Sequence, residues 1–172
     1  MATPEELLSH FKAAVDEVQK AKKAILGLSR DSEAAIRVLH RMALYLLHEE
    51  HDLEGSSAIL SKLSACTLAC DPRTEAQLSF ALQLWATEKY NDSIALLNRI
   101  VSETTNASYQ ALGLDYLSAF MREHHGSKPA IAKIDEQRVA VLQGLVKQES
   151  DKKIKAEYQL RLDAAMKEKN AL

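Results

Sequence analysis

Two histidines with two glutamates between them form the part of this sequence that comes nearest to a catalytic motif, His48-Glu49-Glu50-His51. A metalloprotease zinc site needs two histidines four residues apart on a helix, so that both imidazoles project from one face. Here the second histidine follows after three residues, at the expected end of a helix, and only Asp52 stands near as a further ligand. We interpret the run as a polar helix terminus and predict no metal site.

Two cysteines, Cys66 and Cys70, lie four residues apart and are expected to share one face of the third helix. This spacing differs from the Cys-x-x-Cys redox motif, and a buried free cysteine packs as a small hydrophobe. We therefore interpret both thiols as packing residues between helices. An alternative function, a small all-α metal-binding or enzymatic bundle, would use His48, His51, Cys66 and Cys70 together.

The other arrangements that usually carry out chemistry are missing from the sequence. It contains no glycine-rich phosphate loop, no nucleophile elbow and no spaced pair of carboxylates. We therefore predict no catalytic residues, no cofactor and no enzymatic activity.

The composition favours a helical chain and excludes several classes of partner. The 172 residues are 47% apolar and 27% charged, with 5 Gly and 3 Pro, and are rich in the helix formers Ala, Leu, Glu and Lys. A formal net charge of −2 gives no concentrated basic face, so we expect no nucleic-acid partner. No apolar run approaches the ~20 residues of a membrane-spanning helix. The opening MATPEELLSHFKAAV lacks a secretory-signal pattern, and the cytoplasm is the expected compartment.

Apolar residues recur at helical spacing along the whole chain, and short polar connections separate one run from the next. Thr3, Pro4 and Glu6 form a capping box at the first helix, and Asp71-Pro72 marks another helix start. Connections of a few residues imply antiparallel helix hairpins. The predicted helices cover about 4–27, 32–51, 54–69, 72–85, 91–103 and 107–123, with a seventh from Pro129 and an eighth that begins at Ser150-Asp151 or continues the seventh.

The clearest internal repetition lies between residues 74 and 101. Its second half places an aromatic residue, a small residue and large apolar residues at fixed intervals, and Asn91 or Asp92 is expected to cap that helix. Its first half sets apolar residues around a small one, and this half recurs 32 positions later. Three groups of residues carry the pattern: Gln77, Phe80, Ala81 and Leu84; Tyr90, Ser93, Ile94, Leu97 and Ile100; and Tyr109, Leu112, Gly113 and Tyr116.

This pattern resembles the tetratricopeptide-repeat family, whose units of ~34 residues are helix–turn–helix pairs. The resemblance implies an all-α fold in which antiparallel helix hairpins stack as a short right-handed superhelix. The chain would form one helical domain over residues 1–172. An N-terminal flanking helix (1–33) would precede the repeats (34–146), and a C-terminal capping or protruding helix (147–172) would follow them. A generic helical bundle is the alternative fold.

In this family the first helix of each hairpin lines a concave groove that receives a segment of another protein. The Lys and Asn side chains with which some members hold acidic chaperone tails are missing here, so we expect an amphipathic helix or apolar peptide segment instead. The resemblance thus implies an adaptor or scaffold subunit of a larger assembly. We expect Trp85→Ala to weaken partner binding without unfolding the protein. The predicted groove residues are Arg41, Tyr45, Leu78, Leu82, Trp85, Gln110, Leu114 and Leu117.

The C-terminal helix has an apolar stripe of its own and two possible roles. It either covers the groove of its own chain or protrudes into a complex. A purely structural subunit, with every helical face covered by neighbours, is a third functional alternative. The stripe consists of Ile154, Tyr158, Leu162, Ala165 and Met166.

Overall fold

The computed structural model describes residues 4–124 and 126–171, with side chains from residue 9 onward, so the predicted cap Thr3 lies outside the described residues. Within these residues the chain forms eight α-helices and no β-strand, which confirms the all-α class. The helices are α1 (Pro4–Leu26), α2 (Glu33–His48), α3 (Leu53–Ser64), α4 (Asp71–Ala86), α5 (Tyr90–Glu103), α6 (Ala107–Glu123), α7 (Lys128–Gln148) and α8 (Lys152–Lys169).

Polar side chains fix the starts of several helices by accepting hydrogen bonds from backbone N–H groups that have no partner within the helix. Ser32 Oγ accepts from the N–H of Ala35 at 3.3 Å at the start of α2. Asp151 Oδ1 accepts from the N–H groups of Lys153 and Ile154 at 2.8 and 3.2 Å. Since Asp151 caps a new helix, α8 is separate from α7.

Of the first six helices only α6 has its predicted bounds, and α2 ends at His48 instead of residue 51. The third helix ends at Ser64 instead of residue 69, because Cys66 turns away and donates its thiol hydrogen to the carbonyl oxygen of Arg30 at 3.1 Å. Both cysteines are therefore outside α3, and the expectation that they share one face of that helix is wrong. The fifth helix begins at Tyr90, without a side-chain cap from Asn91 or Asp92.

The chain divides into two compact units, Met1–Leu68 and Ala69–Leu172, so the division does not coincide with the predicted repeat bounds at residues 34 and 146. The first unit contains α1–α3 and the second contains α4–α8. Within each unit, helices that follow one another in sequence pack together.

The second helices of the three hairpins, α3, α5 and α7, bury the same positions. Counted from the first residue of each helix, the fourth, eighth and eleventh residues are buried in all three. This common register is compatible with a helical repeat. The equivalent residues are Ser56, Ser93 and Ile131; Leu60, Leu97 and Asp135; and Leu63, Ile100 and Arg138.

The first helices α2, α4 and α6 share a small, fully buried residue five positions before their last residue: Ala43, Ala81 and Ser118. In the α4–α5 hairpin, Ser93 Oγ donates to the carbonyl oxygen of Ala81 at 2.7 Å, which requires close backbones. Equivalent residues recur after 37 or 38 residues, so Ala81 corresponds to Ser118. The resemblance matches Ala81 with Gly113 instead, and that match stays a prediction.

Two non-glycine residues with positive φ reverse the chain after α2 and α4. His51 has φ 55° and Glu88 has φ 61°. After Glu88, the N–H of Lys89 donates to the carbonyl oxygen of Leu84 at 2.9 Å, which closes the end of α4. Left-handed residues commonly end helices in this way.

The C-terminal helix α8 packs against α7 and does not protrude. Leu162 and Ala165 of α8 are buried with Leu142 of α7 and Ala111 of α6. Tyr158 Oη lies 2.8 Å from Ser108 Oγ, so a polar contact also links α8 to the start of α6.

Candidate functional site

A groove of about 480 Å³ lies between α5 and α7, with α6 between them. The middle helix α6 packs against both flanking helices, so it forms the floor. The volume is within the range of about 300–1,000 Å³ that is typical of ligand pockets. The lining residues are Asn98, Val101 and Ser102 of α5, Gln110 and Leu114 of α6, and Gln137, Ala140 and Val141 of α7.

The α5 wall is held close to the floor by a glycine. A Cβ atom at Gly113 would lie 3.1 Å from Val101 Cγ2 and 3.6 Å from Ile100 Cγ2, so a larger residue would require Val101 to shift by a few tenths of an ångström. Gln110 Nε2 donates to the carbonyl oxygen of Val101 at 3.2 Å. The width of the groove on this side is therefore set by a tight α5–α6 contact.

The α7 wall is positioned by buried polar contacts. Asp135 is fully buried and accepts a hydrogen bond from Ser118 Oγ at 2.6 Å. It also forms an ion pair with Arg122, which is on α6 as well. A buried carboxylate needs such partners because removal from water disfavours its charge. These contacts fix the rotation of α7 and hence the residues that it presents to the groove.

A second ionic group joins three helices around Arg138 of α7. Its Nη1 donates to Glu168 Oε2 of α8 at 2.7 Å, and its Nε donates to Asp115 of α6. Asp115 also receives two hydrogen bonds from Arg161 of α8, at 2.6 and 2.9 Å. Helix α8 thus supports α7 from the side away from the groove lining.

Arg138 stays charged in this setting. Burial acts to lower its pKa, but the hydrogen bond to Glu168 and the charge of Asp115 outweigh this effect, so the pKa is raised above its ordinary value. A guanidinium with a raised pKa keeps its proton throughout the pH range in which proteins are usually folded. The ionic group therefore keeps its central cation.

The groove lining has polar groups but no formal charge. Three amides and one hydroxyl, from Asn98, Gln110, Gln137 and Ser102, stand beside apolar side chains. Amides can both donate and accept hydrogen bonds. Such a surface can pair with peptide N–H and C=O groups while its apolar parts contact side chains.

Of the predicted groove residues, Gln110 and Leu114 do line this groove. Leu78 and Leu117 do not face any surface, because both are buried in a core with Leu97. The sequence-based assignment of these two residues to a partner surface is therefore corrected. Their apolar character is explained by packing within the second unit.

Trp85 and Leu82 lie near the end of α4. The Trp85 ring stacks on Phe120 with 3.9 Å between ring centroids and makes an edge contact with Tyr90 at 4.7 Å. Trp85 thus joins α4, α5 and α6, and we now expect Trp85→Ala to destabilise the second unit, contrary to the sequence-based expectation. Leu82 is exposed. Neither residue lines the α5–α7 groove.

Arg41 and Tyr45 belong to α2 in the first unit, and both are exposed. They are four residues apart and so share one face of the helix. Lys22 Nζ of α1 lies 5.8 Å from the centroid of the Tyr45 ring, a cation–π distance. Their role in partner binding stays a prediction.

The residues of the metal-binding alternative are placed as follows. His48 is the last residue of α2, His51 is in the following turn, and both are exposed. Both Cys66 and Cys70 are free thiols. The described part of the chain contains no group of three or more His, Cys, Asp or Glu side chains that could hold a metal ion.

Sequence reasoning missed most of the groove because it assigned the surface to the first helices only. Val101 and Val141, together with Asn98 and Gln137, belong to second helices. The sequence does carry one signal for this surface: Asn98 and Ser102, and Gln137 and Val141, are uncharged pairs at i, i+4 spacing.

Comparisons with known proteins identify no relative of this chain. No protein-family model, curated protein or solved structure matches the chain. Among the described helices, none is both long and apolar enough to cross a membrane. The assignment of function therefore depends on the geometry of the chain itself.

Proposed function

We propose that this protein is a non-enzymatic protein-binding module of the helical-hairpin repeat type, an adaptor or scaffold subunit, that holds an extended, uncharged segment of a partner protein between α5 and α7. The observation that carries the proposal is the groove of about 480 Å³ lined by eight residues without a formal charge. In a chain of which 27% is charged, such a lining suits a neutral ligand.

An extended segment fits the lining better than a helical one. An extended peptide brings N–H and C=O groups that need partners when they leave water. The amide oxygens of Asn98, Gln110 and Gln137 can accept hydrogen bonds from such N–H groups. Asn98 Nδ2 and Gln110 Nε2 already donate to backbone carbonyl oxygens of α5. A helix satisfies most of its backbone groups internally and would offer few N–H groups to the amide oxygens of the groove.

The same lining supports a role without catalysis. General acid–base and nucleophilic catalysis usually rely on His, Asp, Glu, Lys, Cys or Tyr side chains. The groove residues are Asn, Gln, Ser, Val, Leu and Ala. Of these only Ser102 has a nucleophilic atom, and no base among the lining residues would activate it.

The resemblance to tetratricopeptide repeats is part of the proposal. Equivalent buried positions in successive hairpins, with small residues at Ala43, Ala81 and Ser118, support a repeat architecture. The spacing of 37 or 38 residues is longer than the ~34 residues of that family. We therefore propose that the chain has an architecture similar to tetratricopeptide repeats, with longer units that stack in a similar right-handed superhelix.

Peptide selection tests the binding function directly. A display library of random peptides would be selected on the full chain, and the enriched peptides would be measured for affinity and for protection of the chain from deuterium exchange. We expect uncharged peptides that protect α5, α6 and α7. Ala140→Trp, which fills the groove, should lower the affinity for these peptides at least about tenfold, because it removes the space that they occupy.

The control is Ala164→Trp, an equally large change at an exposed alanine of α8 that does not line the groove. It should leave affinity unchanged. Peptides that bind Ala140→Trp as tightly as the unaltered chain, or that protect only other helices, would overturn the proposal.

A further inference from the structure

A second cavity, of about 440 Å³, lies within the first compact unit between α1, α2 and α3. It shares no residue with the α5–α7 groove. Its volume also falls within the range of about 300–1,000 Å³ for small-molecule sites. Its walls differ in chemistry from those of the groove, since they combine a hydrocarbon surface with charged side chains.

The inner surface of this cavity is apolar. It is formed by core residues of α2 and α3, among them Leu39, Met42 and Ile59, each of which is almost inaccessible to solvent. On the α1 side the wall includes Leu26, which is 48% exposed. A bound hydrocarbon would cover Leu26 and remove its apolar surface from water, which favours binding.

Five charged side chains also line the cavity: Lys22, Arg30, Glu50, Asp52 and Lys62. Both carboxylates are already engaged. Glu50 forms an ion pair with Lys22, and Asp52 Oδ1 accepts the hydrogen bond of the Gly55 N–H at 2.8 Å as the cap of α3. Within the described residues, Arg30 and Lys62 have no carboxylate partner within ion-pair distance. The cavity therefore has two cations to offer to a ligand.

The surroundings of these cations are held in place. The carbonyl oxygen of Arg30 accepts the hydrogen bond of the Cys66 thiol at 3.1 Å, which ties the segment before α2 to the end of α3. The Lys22–Glu50 ion pair ties α1 to the turn after α2. Asp52 is held over Gly55 by the hydrogen bond from the Gly55 N–H, and a side chain at residue 55 would clash with its carboxylate.

We propose that this cavity binds a monocarboxylate with a saturated hydrocarbon chain, a ligand of the fatty-acid type. The chain lies against Leu39, Met42 and Ile59 and covers Leu26. The carboxylate lies at the charged side, where Arg30 and Lys62 pair with it. Arg and Lys form charge-assisted hydrogen bonds with carboxylates, and the Arg fork can bind both oxygens. Neither the apolar wall nor the two cations alone would select this ligand.

Calorimetric titration of the full chain with dodecanoate, below the concentration at which it forms micelles, tests the proposal. We expect one saturable site per chain. The neutral 1-dodecanol and the cationic dodecyltrimethylammonium should bind at least about tenfold more weakly, because they lose the pairing with Arg30 and Lys62. Equal affinity for all three probes, or no saturable binding of dodecanoate, would overturn the proposal.

Two variants locate the binding. The double change Arg30→Gln and Lys62→Gln should lower the affinity for dodecanoate at least about tenfold but leave the affinity for 1-dodecanol unchanged. The matched pair Lys12→Gln and Arg41→Gln removes one Lys and one Arg that do not line the cavity, and it should retain full affinity. Full affinity for dodecanoate in the variant with both Arg30→Gln and Lys62→Gln would overturn the proposal.

A third variant covers the case in which the double change disturbs folding. Ala58→Trp places a large ring at an exposed residue of the cavity lining, so circular dichroism is expected to show an intact helical chain. It should abolish binding of dodecanoate. Undiminished binding to this variant would also overturn the proposal, independently of the function proposed for the α5–α7 groove.

Discussion

Helices α5 and α7 bury the same positions of their hairpins with opposite chemistry. At the eighth and eleventh residues, α5 has Leu97 and Ile100, whereas α7 has Asp135 and Arg138. The apolar pair packs in a hydrophobic core without any specific partner atom. The charged pair requires partners at defined positions, which α6 and α8 supply through Ser118, Arg122, Asp115 and Glu168.

The same buried positions of a hairpin can thus hold either apolar or charged side chains, and the two kinds differ in how much they depend on neighbouring helices. Hydrophobic burial is non-directional and tolerates small shifts. A buried ion pair is weak evidence for stability, but the loss of one partner is costly because the other charge remains buried. The position of α7 should therefore depend on α8, whereas that of α5 should not.

The largest effect is expected from placing a carboxylate in the apolar helix. In Leu97→Asp the new carboxylate would lie where Leu97 is now fully buried among the apolar side chains of a hydrophobic core. We expect a loss of at least about 4 kcal/mol in the free energy of unfolding. Urea unfolding followed by circular dichroism measures it. Ala95→Asp, at an exposed residue of α5, is the control, and a loss below about 2 kcal/mol at Leu97 would contradict the contrast between the two helices.

Removal of the buried carboxylate from α7 is the reciprocal change. It should lower the free energy of unfolding less when its partner Ser118 is replaced as well. Asp135→Ala leaves Ser118 and Arg122 without their acceptor, and we expect it to cost about 3 kcal/mol in the same assay. The double variant Asp135→Leu with Ser118→Ala replaces both buried polar groups by apolar ones. Its loss should stay within about 1 kcal/mol, because no buried partner is left unpaired and Arg122 can reach water. A double variant as unstable as Asp135→Ala would refute this account.

A third change addresses the dependence of α7 on α8. Arg161→Gln removes the two hydrogen bonds to Asp115, and we expect the amide hydrogens of α8 to exchange about five- to tenfold faster. Hydrogen exchange followed by mass spectrometry resolves α8 from α5, whose rates should stay constant. Lys155→Gln, at an exposed residue of α8, is the matched control. Unchanged exchange in α8 would show that its apolar contacts suffice.

The smallest effect is expected at the surface of the same interface. Lys169 Nζ lies 3.6 Å from Glu136 Oε1, and 39% and 64% of the two side chains are exposed. Lys169→Gln should change the free energy of unfolding by no more than about 0.5 kcal/mol, since water screens such pairs. A loss above about 1 kcal/mol in urea would mean that exposed charges also hold α8, which would weaken the distinction between buried and surface pairs.

Much of the helix succession was predictable because its signals are local. The bounds of α6 agree with the expectation, and Asn106 caps it by accepting from the N–H of Ser108 at 3.0 Å. Ser32 and Asp151 mark helix starts in the same way. Capping side chains and apolar spacing act over a few residues, so they can be read from the chain.

The register between hairpins and the groove were not predictable, because they depend on tertiary contacts. Gly113 resembles the small residue of a first helix, yet it marks the contact with α5, and Ser118 occupies the equivalent position. Asp135 reads as a surface residue in a helix of mixed charge, and only its pairing with Ser118 and Arg122 explains its burial. Such pairings join residues far apart in sequence.

The two left-handed residues in the turns after α2 and α4 make these turns targets for raising heat resistance. At His51 and Glu88 the side chain's Cβ crowds the backbone, a penalty of roughly 1 kcal/mol or more that glycine would not have. Glycine also gives the unfolded chain more freedom, which offsets part of the gain. Neither residue lines the α5–α7 groove or the cavity of the first unit. His51→Gly and Glu88→Gly therefore offer a route to a more heat-resistant protein in which the residues that line both proposed binding sites are unchanged.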